Sequence, residues 1–542
     1  MIKEWKQQNE LYWLLAFSVL CFGGFYDWTA ASLGAAVGIL GIFRIARTRK
    51  LLLIKEKWIW CVLLQGICLV LASFTAVDRG MNFVGILRFL PVVLWLFLGM
   101  QYSEEERRSA LNAVPHMGCL MICISLIALL IPGMEEWLWS AQRLGGFFQY
   151  SNTCAIFFLI GMMLLKENET REAKVQWCLL FWGILLTGSR TVMILLIAYF
   201  LIELFGKKSK SHYRSMILIN VGLAIVAAIL MVWIDGNYQN LARLVTVFRS
   251  NSTFYGRLLY WKDAIGLILK HPLGLGWKGY FYIQSSIQTG VYKTIYVHND
   301  LLQSFLDGGW ISGFSFLLLM IWQIKKSSHR LLLVILFLHC LVDVDFQYAS
   351  IWFVAILLFD FGKEEIALSK EKRIEAKVYL GILASLCVYF VLPFGAEYLN
   401  RYDIAAFLYP GYTETKETLL SNTGNPEEAV VLADDILKQN PYSSIAYDAK
   451  ALVAYAKGDI EEFAENKEKV LSIERYDITQ YQDYYYLLKQ IEAYALEQKD
   501  EALLTYCNEK YEKISFYLKK VENETSMLAW KLRDQPTFEL EE

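Results

Sequence analysis

The chain has 542 residues, of which 56% are hydrophobic, and its mean hydropathy is positive at +0.34. Several apolar runs approach the roughly 20 residues that cross a bilayer, which excludes a single water-soluble domain. The formal net charge of -2 leaves no basic excess, so we expect no nucleic acid partner. Because no Cys/His cluster has metal-ligand spacing, we also expect no metal and no cofactor.

Apolar runs divide the first 400 residues into about 13 predicted spans. More spans follow the first run, which lacks a small-residue cleavage pattern, so we interpret it as a retained span. We therefore predict an all-α fold, with a polytopic transmembrane helical bundle over residues 1–400. The predicted spans lie near 11–24, 28–43, 58–75, 83–100, 112–132, 152–165, 176–188, 191–206, 215–235, 309–324, 330–343, 350–362 and 378–396.

Basic residues are concentrated in alternate loops between these spans. The opposite short loops carry only Arg79, Arg143 and Arg190. Because Lys and Arg in short loops stay on the cytoplasmic side, we expect a cytoplasmic N-terminus in the plasma or inner membrane. An odd number of spans then puts the polar segment 236–308 and everything after about residue 397 on the outer face.

Three arginines lie within or beside apolar runs. Arg190 stands in a Thr-Gly-Ser-Arg-Thr turn, and Arg143 precedes Leu-Gly-Gly. A guanidinium at membrane depth is costly unless it meets water, a partner or an anion. Arg190 could therefore bind an anionic ligand, or it could cap an outer turn and extend to the interface. For Arg88 we expect a structural ion pair or an interfacial role.

The segment 236–308 is the long polar interruption of the bundle, and we predict two helices in it. Ser252 or Thr253 can cap the first helix, which carries Arg257 and ends at His271. Its apolar positions recur every three to four residues, so it could lie in the membrane plane. It would then hold Arg257 over the mouth of a cavity.

The second predicted helix begins around Asn299 and has His298 at its N-terminus. The positive end of a helix favours a neutral imidazole, which can accept a proton. Two arginines that bind a diphosphate, with a histidine that takes a proton from a hydroxyl, would form a metal-free transfer site. Alternatively, His298 is a capping residue with an ordinary hydrogen bond.

Beyond the last predicted span the sequence becomes charged, helical and alanine-rich, and it repeats. Gly424–Ala429 recurs as Gly458–Phe463, an offset of 34 residues, and a weaker third copy begins near Lys499. This offset is the period of the tetratricopeptide hairpin, in which each unit buries its apolar face on the next. We predict an extracytoplasmic tetratricopeptide-like repeat domain over residues 401–542, with an ordinary helical bundle as the alternative.

Several short motifs occur in a fixed order along the chain. They are Arg143-Leu144-Gly145-Gly146 with Asn152, Gly188-Ser189-Arg190-Thr191, Gly256-Arg257 with Trp261, the 271–276 turn, the 298–303 stretch and Asp307-Gly308-Gly309. Together they resemble the O-antigen ligase and polymerase superfamily over about residues 140–345. The resemblance implies a metal-independent membrane enzyme that transfers a glycan from an undecaprenyl diphosphate carrier to an acceptor hydroxyl on the outer face.

Carried over residue by residue, the resemblance implies that Arg190 and Arg257 bind the diphosphate. His298 would be the base or would position the acceptor, with Arg143 and Asn299 as supporting substrate-binding residues. At the next position the family usually has an aromatic or small residue, whereas this chain has Asp300. This acid could orient His298 or change its protonation, and we include it among the substrate-binding residues.

The tail departs from the best-known lipopolysaccharide ligases, and a concave repeat surface would suit a protein or glycan partner. Its tyrosines are expected to be exposed, where they could stack on sugars, or else to pack between repeats. These tyrosines are Tyr481, Tyr484, Tyr485 and Tyr486.

Other functions remain open. A ligase and a repeat-unit polymerase share the donor and differ in the acceptor, which could be a glycolipid, a polysaccharide or a protein. A lipid-linked oligosaccharide flippase would place ionisable residues along a path and often repeats its spans. Here the charges converge on one face. A non-catalytic scaffold would leave Arg190, Arg257 and His298 unexplained.

Overall fold

The computed structural model describes residues 9–206, 210–235 and 252–540, so the first part of the polar segment and the basic residues Lys207 and Lys208 lie outside it. The described chain is mostly helical, as the composition predicts. Helices of the first 400 residues are α1 (Glu10–Leu20), α2 (Asp27–Thr48), α3 (Trp58–Ala72), α4 (Arg79–Gly99), α5 (Glu104–Ala110), α6 (Ala113–Ala128), α7 (Glu135–Leu138), α8 (Ser151–Leu164), α9 (Arg171–Thr187), α10 (Arg190–Phe205), α11 (Ser211–Asp235), α12 (Ser252–Lys270), α13 (Gly279–Ile287), α14 (Asp300–Lys326), α15 (Arg330–Cys340), α16 (Ala349–Leu358) and α17 (Lys370–Tyr398).

Every predicted apolar run overlaps one of these helices. Within the described ranges, six helices are long and apolar enough to cross a membrane: α2, α4, the stretch α5–α6, residues 213–230 of α11, α14 and α17. Five shorter apolar helices accompany them, namely α1, α3, α8, α15 and α16. The chain therefore has the helices of a multi-pass membrane protein, while the count of about 13 crossings stays a prediction.

Two short helices form the centre of the bundle. All ten residues of α16 are buried, and so are most residues of α8. A helix that is apolar all round belongs in a core rather than at a lipid or water boundary. At 1.5 Å per residue, the 14 residues of α8 span about 21 Å, which is less than the roughly 30 Å of a bilayer's hydrocarbon core. The polar residues Ser151 and Thr153 of its first turn are buried in the bundle.

Two antiparallel strand pairs depart from the all-α prediction. Strand β1 (Leu52–Ile54) pairs with β4 (Glu365–Ala367), and β2 (Trp139–Ser140) pairs with β3 (Arg143–Leu144). The β2–β3 turn is formed by Ala141 and Gln142, with φ of 49° and 61°. Two positive φ values identify the tight hairpin turn for which sequences normally use Asn-Gly. The Ala-Gln pair gives no such signal, so this hairpin, which carries Arg143, could not be predicted.

The outer segment is attached to the bundle at a kink in α14. Gly309 has φ 78° and ψ −169° within that helix, where the sequence predicts the boundary between a loop helix and the next span. The backbone N–H of Trp310 donates to the Pro272 carbonyl at 2.9 Å. A Cβ at position 309 would lie 2.3 Å from the same carbonyl, so this close approach requires glycine. The 271–276 turn is thereby locked into the kink.

The C-terminal helices are α18 (Tyr402–Leu408), α19 (Thr413–Asn422), α20 (Pro426–Gln439), α21 (Ser444–Lys457), α22 (Ile460–Ile473), α23 (Ile478–Gln498) and α24 (Glu501–Glu524). The side chains of Asn425, Asp459 and Asp500 cap α20, α22 and α24. Asn425 and Asp459 keep the 34-residue offset. Asp500 comes later than this offset predicts, because α23 has 21 residues where the corresponding helix α21 has 14. The tetratricopeptide assignment stays a prediction.

The predicted exposure of the tail tyrosines is wrong for two of them. Tyr481 and Tyr484 are each 1% exposed and pack in the core of the tail with Phe463. Tyr486, by contrast, is exposed. Positions 481, 484 and 488 recur at helical spacing and face the neighbouring helices, so packing between helices accounts for these rings.

Charged groups join the tail to the bundle. Lys278 and Glu414 form an ion pair at 2.5 Å, and the Tyr412 hydroxyl donates to Asp27 Oδ2 at 2.7 Å. Asp27 also pairs with Arg88, Nη1 to Oδ1, at 2.7 Å. The structural ion pair predicted for Arg88 is therefore confirmed, and it lies where the tail meets α2 and α4.

Candidate functional site

Polar side chains from distant parts of the chain converge on Asp343, in the loop between α15 and α16. Its carboxylate is 0% exposed. One oxygen accepts from Arg257 Nη2 at 3.2 Å and from Asn152 Nδ2 at 2.7 Å. The other accepts from the Tyr150 hydroxyl at 2.6 Å. A buried carboxylate needs such partners, because without them its desolvation would be very costly.

His298 completes this group, with Nδ1 3.9 Å from Asp343 Oδ1. That separation is too long for a hydrogen bond but short enough for a direct charge interaction. His298 has φ 50° and immediately precedes Asn299, whose side chain caps α14 by accepting from Leu302 N at 3.0 Å. The prediction that His298 lies at this helix N-terminus is confirmed. The ring of Tyr260, on α12, lies 6.3 Å from the imidazole.

Exposure differs sharply among the three central groups. The side chains of Arg257 and His298 are 16% and 27% exposed, whereas Asp343 lies behind them at 0%. The first predicted helix of the polar segment is confirmed as α12, which ends one residue before His271. Arg257 lies in its second turn and extends toward Asp343. A ligand can therefore contact Arg257 and His298, but it cannot contact the buried Asp343 behind them.

Arg143 supports the group from the β2–β3 hairpin. Its Nη2 donates to Asn152 Oδ1 at 2.9 Å, and its Nε donates to the Thr187 carbonyl at 2.8 Å. That carbonyl belongs to the last residue of α9, where the helix dipole favours a cation. Arg143 thus fixes the Asn152 amide that bonds to Asp343.

Arg190 begins α10 directly after the same turn and is half-buried. The structure thus brings Arg143, Arg257 and His298 together through Asn152 and Asp343. It places Arg190 at the neighbouring helix start, three residues after Thr187. The role of Arg190 in binding a donor stays a prediction.

Asp300 lies at the start of α14, where it is 3% exposed. Its Oδ2 accepts from the backbone N–H of Phe346 at 3.0 Å, which ties this helix start to the loop of Asp343. With Asp307 it also lines a cavity of about 90 Å³. Asn299 and Asp300 therefore shape the backbone around His298, while their substrate contacts stay predictions.

The groups around Asp343 suit its ionised form. The Arg257 guanidinium lies 3.2 Å from one carboxylate oxygen, and the Asn152 amide and the Tyr150 hydroxyl donate hydrogen bonds to the carboxylate. As a carboxylate, Asp343 can hold the guanidinium in place and stabilise a positive charge that forms on His298.

Sequence reasoning did not single out Asp343 or Tyr150. Asp343 and Asp345 follow the apolar helix α15 and precede the apolar helix α16, and His339 lies within α15. The desolvation argument that drew attention to Arg190 applies equally to these acids. The sequence therefore contains a signal for both acids, namely a charge whose desolvation is costly, but it contains no signal for the residues that bond to them.

A comparison with known protein families bears on the same region. The O-antigen ligase family model matches residues 177–317. The match supports the resemblance to that superfamily and points to membrane glycosyl transfer or ligation. Arg190, Arg257 and His298 lie inside the matched segment, whereas Asp343 lies outside it. No curated protein and no solved structure matches the chain significantly.

Proposed function

We propose that this protein transfers a glycan from an undecaprenyl diphosphate-linked donor to an acceptor hydroxyl at the outer face of the cell membrane. One observation carries the proposal. A buried Asp343 accepts a hydrogen bond from the partly exposed Arg257 and lies 3.9 Å from the partly exposed His298, and both of these residues lie in the segment that matches the O-antigen ligase family. Anion binding and proton transfer are the two tasks that such a reaction requires.

Arg257 is suited to bind the donor diphosphate. A guanidinium has five N–H donors in a planar fork, and only Nη2 contacts Asp343. The remaining donors can form paired hydrogen bonds to phosphate oxygens. Arg190 would add a second positive charge from the neighbouring helix start. Two arginines then neutralise the negative charge that develops on the leaving diphosphate.

His298 is suited to receive the acceptor proton. In the proposed step, the acceptor oxygen forms a bond to the anomeric carbon while the bond from that carbon to the diphosphate oxygen breaks. The hydroxyl proton moves to the imidazole, and the electron pair of the broken bond leaves with the diphosphate. Asp343, 3.9 Å away, stabilises the imidazolium that results.

The first prediction concerns these two side chains. His298→Ala and Arg257→Ala are each expected to lower transfer by at least about 100-fold, because one removes the proton acceptor and the other a diphosphate ligand. The rate is measured with purified protein in lipid nanodiscs and a diphosphate-linked glycan donor. Lys270→Ala, at the last residue of α12, and His271→Ala, directly after it, are the matched controls and should transfer normally. Wild-type rates in the His298 and Arg257 variants would refute the proposal.

The acceptor is identified by a second assay. The purified protein is incubated with donor alone and then with donor plus glycolipid, polysaccharide or protein acceptors. A ladder of longer lipid-linked glycans from donor alone indicates a polymerase, whereas product that appears only with an added acceptor indicates a ligase. Movement of the donor across the bilayer without any new glycosidic bond would indicate a flippase and would contradict the proposal.

A further inference from the structure

The end of the chain returns from the tail to the helix that carries Arg257. Residues 526–532, which we call the C-terminal segment, follow α24 and include a short 3-10 turn at Ala529–Lys531. The backbone N–H of Ser526 donates to the Thr289 carbonyl at 2.8 Å. Ala529 is 0% exposed and packs in one small cluster with Leu259 and Tyr292.

This contact is close, and it involves residues of α12 that precede and follow Arg257. A Cβ at Gly290 would lie 2.6 Å from the Ala529 Cβ, so the C-terminal segment and the loop at Gly290 are packed too closely for a larger residue at position 290. Farther along, the Lys531 ammonium lies 4.8 Å from the Tyr255 ring centre. A Cβ at Gly256 would lie 3.8 Å from Leu532 Cδ2, which is ordinary van der Waals contact. The segment therefore touches α12 at positions 255, 256 and 259, on both sides of Arg257.

The loop that contacts the C-terminal segment, at residues 289–292, is hydrogen-bonded to α12. Asp263 of α12 accepts hydrogen bonds from the Thr289 backbone, the Thr289 hydroxyl and the Tyr292 hydroxyl, each at 2.9 Å. The Tyr292 ring lies 4.7 Å from Tyr260, whose ring in turn lies 6.3 Å from His298. Packing is thus continuous from Ala529 through Tyr292 and Tyr260 to His298, while Leu259 lies on the same helix as Arg257.

The other end of the segment is anchored in the tail. Arg475 forms an ion pair with Glu524, and the hydroxyls of Tyr476 and Thr525 are hydrogen-bonded at 2.9 Å. The segment therefore joins the helical repeats to α12 directly, at a place separate from the Lys278–Glu414 contact.

We propose that the C-terminal segment is a positioning element for the transfer site, in which Ala529 acts through Leu259 and Tyr292 to hold Arg257 and His298 in register with Asp343. The inference rests on the proposed function for its effect on rate. A displacement of about 1 Å at a reacting group can cost about 100-fold in rate, so a brace on α12 has kinetic consequences.

The test introduces the same charge at two neighbouring positions of the full-length protein. Ala529→Arg places a guanidinium in a fully buried contact and should release the segment, whereas Met527 is 84% exposed, so Met527→Arg is the matched control. For Ala529→Arg we expect kcat to fall about 100-fold with the KM for the acceptor unchanged. The conservative Ala529→Ser variant should keep wild-type kcat.

Hydrogen–deuterium exchange of Ser252–Lys270 gives a second readout that does not depend on activity. Ala529→Arg should raise exchange in this helix, and Met527→Arg should not. If the Ala529→Arg protein does not fold, Leu532→Ala removes a smaller part of the contact and should lower kcat by a smaller factor.

The outcomes separate the two proposals. Unchanged exchange and unchanged kcat in folded Ala529→Arg would overturn the positioning role. Raised exchange in this variant, together with wild-type transfer by His298→Ala and Arg257→Ala, would support the contact between the C-terminal segment and α12 but would refute the proposed function. An equal loss of kcat in Ala529→Arg and Met527→Arg would also overturn the inference, since the effect would not depend on the buried contact.

Discussion

Two acids that are two residues apart in the chain have similar partners and different surroundings. Asp343 lies beside His298 and is bonded to Asn152, while Asp345 lies beside His339 and is bonded to Thr153. Each acid thus has one histidine and one polar residue from the first turn of α8. His298 is 27% exposed, however, whereas His339 and Asp345 are both 0% exposed.

The difference shows that an acid–histidine pair does not by itself indicate a reaction site. The Asp345 pair is closed, with His339 Nδ1 and Asp345 Oδ2 2.5 Å apart inside the bundle. The Asp343 pair is open on the histidine side and includes Arg257, which can bind an anion. We therefore assign the proposed chemistry to the first acid and a structural role to the second.

The largest expected effect is a contrast between substitutions at the two acids. Asp343→Asn should lower transfer about 100-fold, because Arg257 loses its fixed partner and a positive charge on His298 loses its stabilising anion. Asp345→Asn should instead destabilise the protein by about 3 kcal/mol, because it breaks a fully buried pair, while the folded fraction keeps its kcat. Transfer kinetics and thermal unfolding in detergent measure the two effects. Equal losses of kcat would contradict the distinction between the acids.

A smaller contrast is expected between the adjacent residues of α8. Asn152→Ala removes the 2.7 Å hydrogen bond to Asp343, and Thr153→Val removes the 3.0 Å hydrogen bond to Asp345. Each substitution should cost about 1–3 kcal/mol, because each removes a buried hydrogen bond to a charged acceptor. Only Asn152→Ala should also lower kcat. A Thr153→Val protein that loses as much kcat as Asn152→Ala would show that both acids serve the reaction.

Local signals in the sequence were sufficient for the two helices that position Arg257 and His298. The periodicity around Arg257 predicts α12, and the polar residues after Val297 predict the start of α14. Costly charges at membrane depth identified Arg143 and Arg190, and the same argument extends to Asp343. The β2–β3 hairpin could not be predicted because its turn lacks the usual residues. Two of the tyrosines expected to be exposed on α23 are buried because they face the neighbouring helices, as the alternative of packing between repeats predicts.

The sequence by itself determined the apolar helices, the start of α14 around Asn299 and the position of His298 at that helix N-terminus, because each of these depends on neighbours within a few residues. Only the tertiary structure decided which charges meet. Asn152 and Asp343 are separated by 191 residues, and Arg257 and Asp343 by 86. Contacts at such separations depend on how complete helices pack, and a local pattern carries no information about that packing.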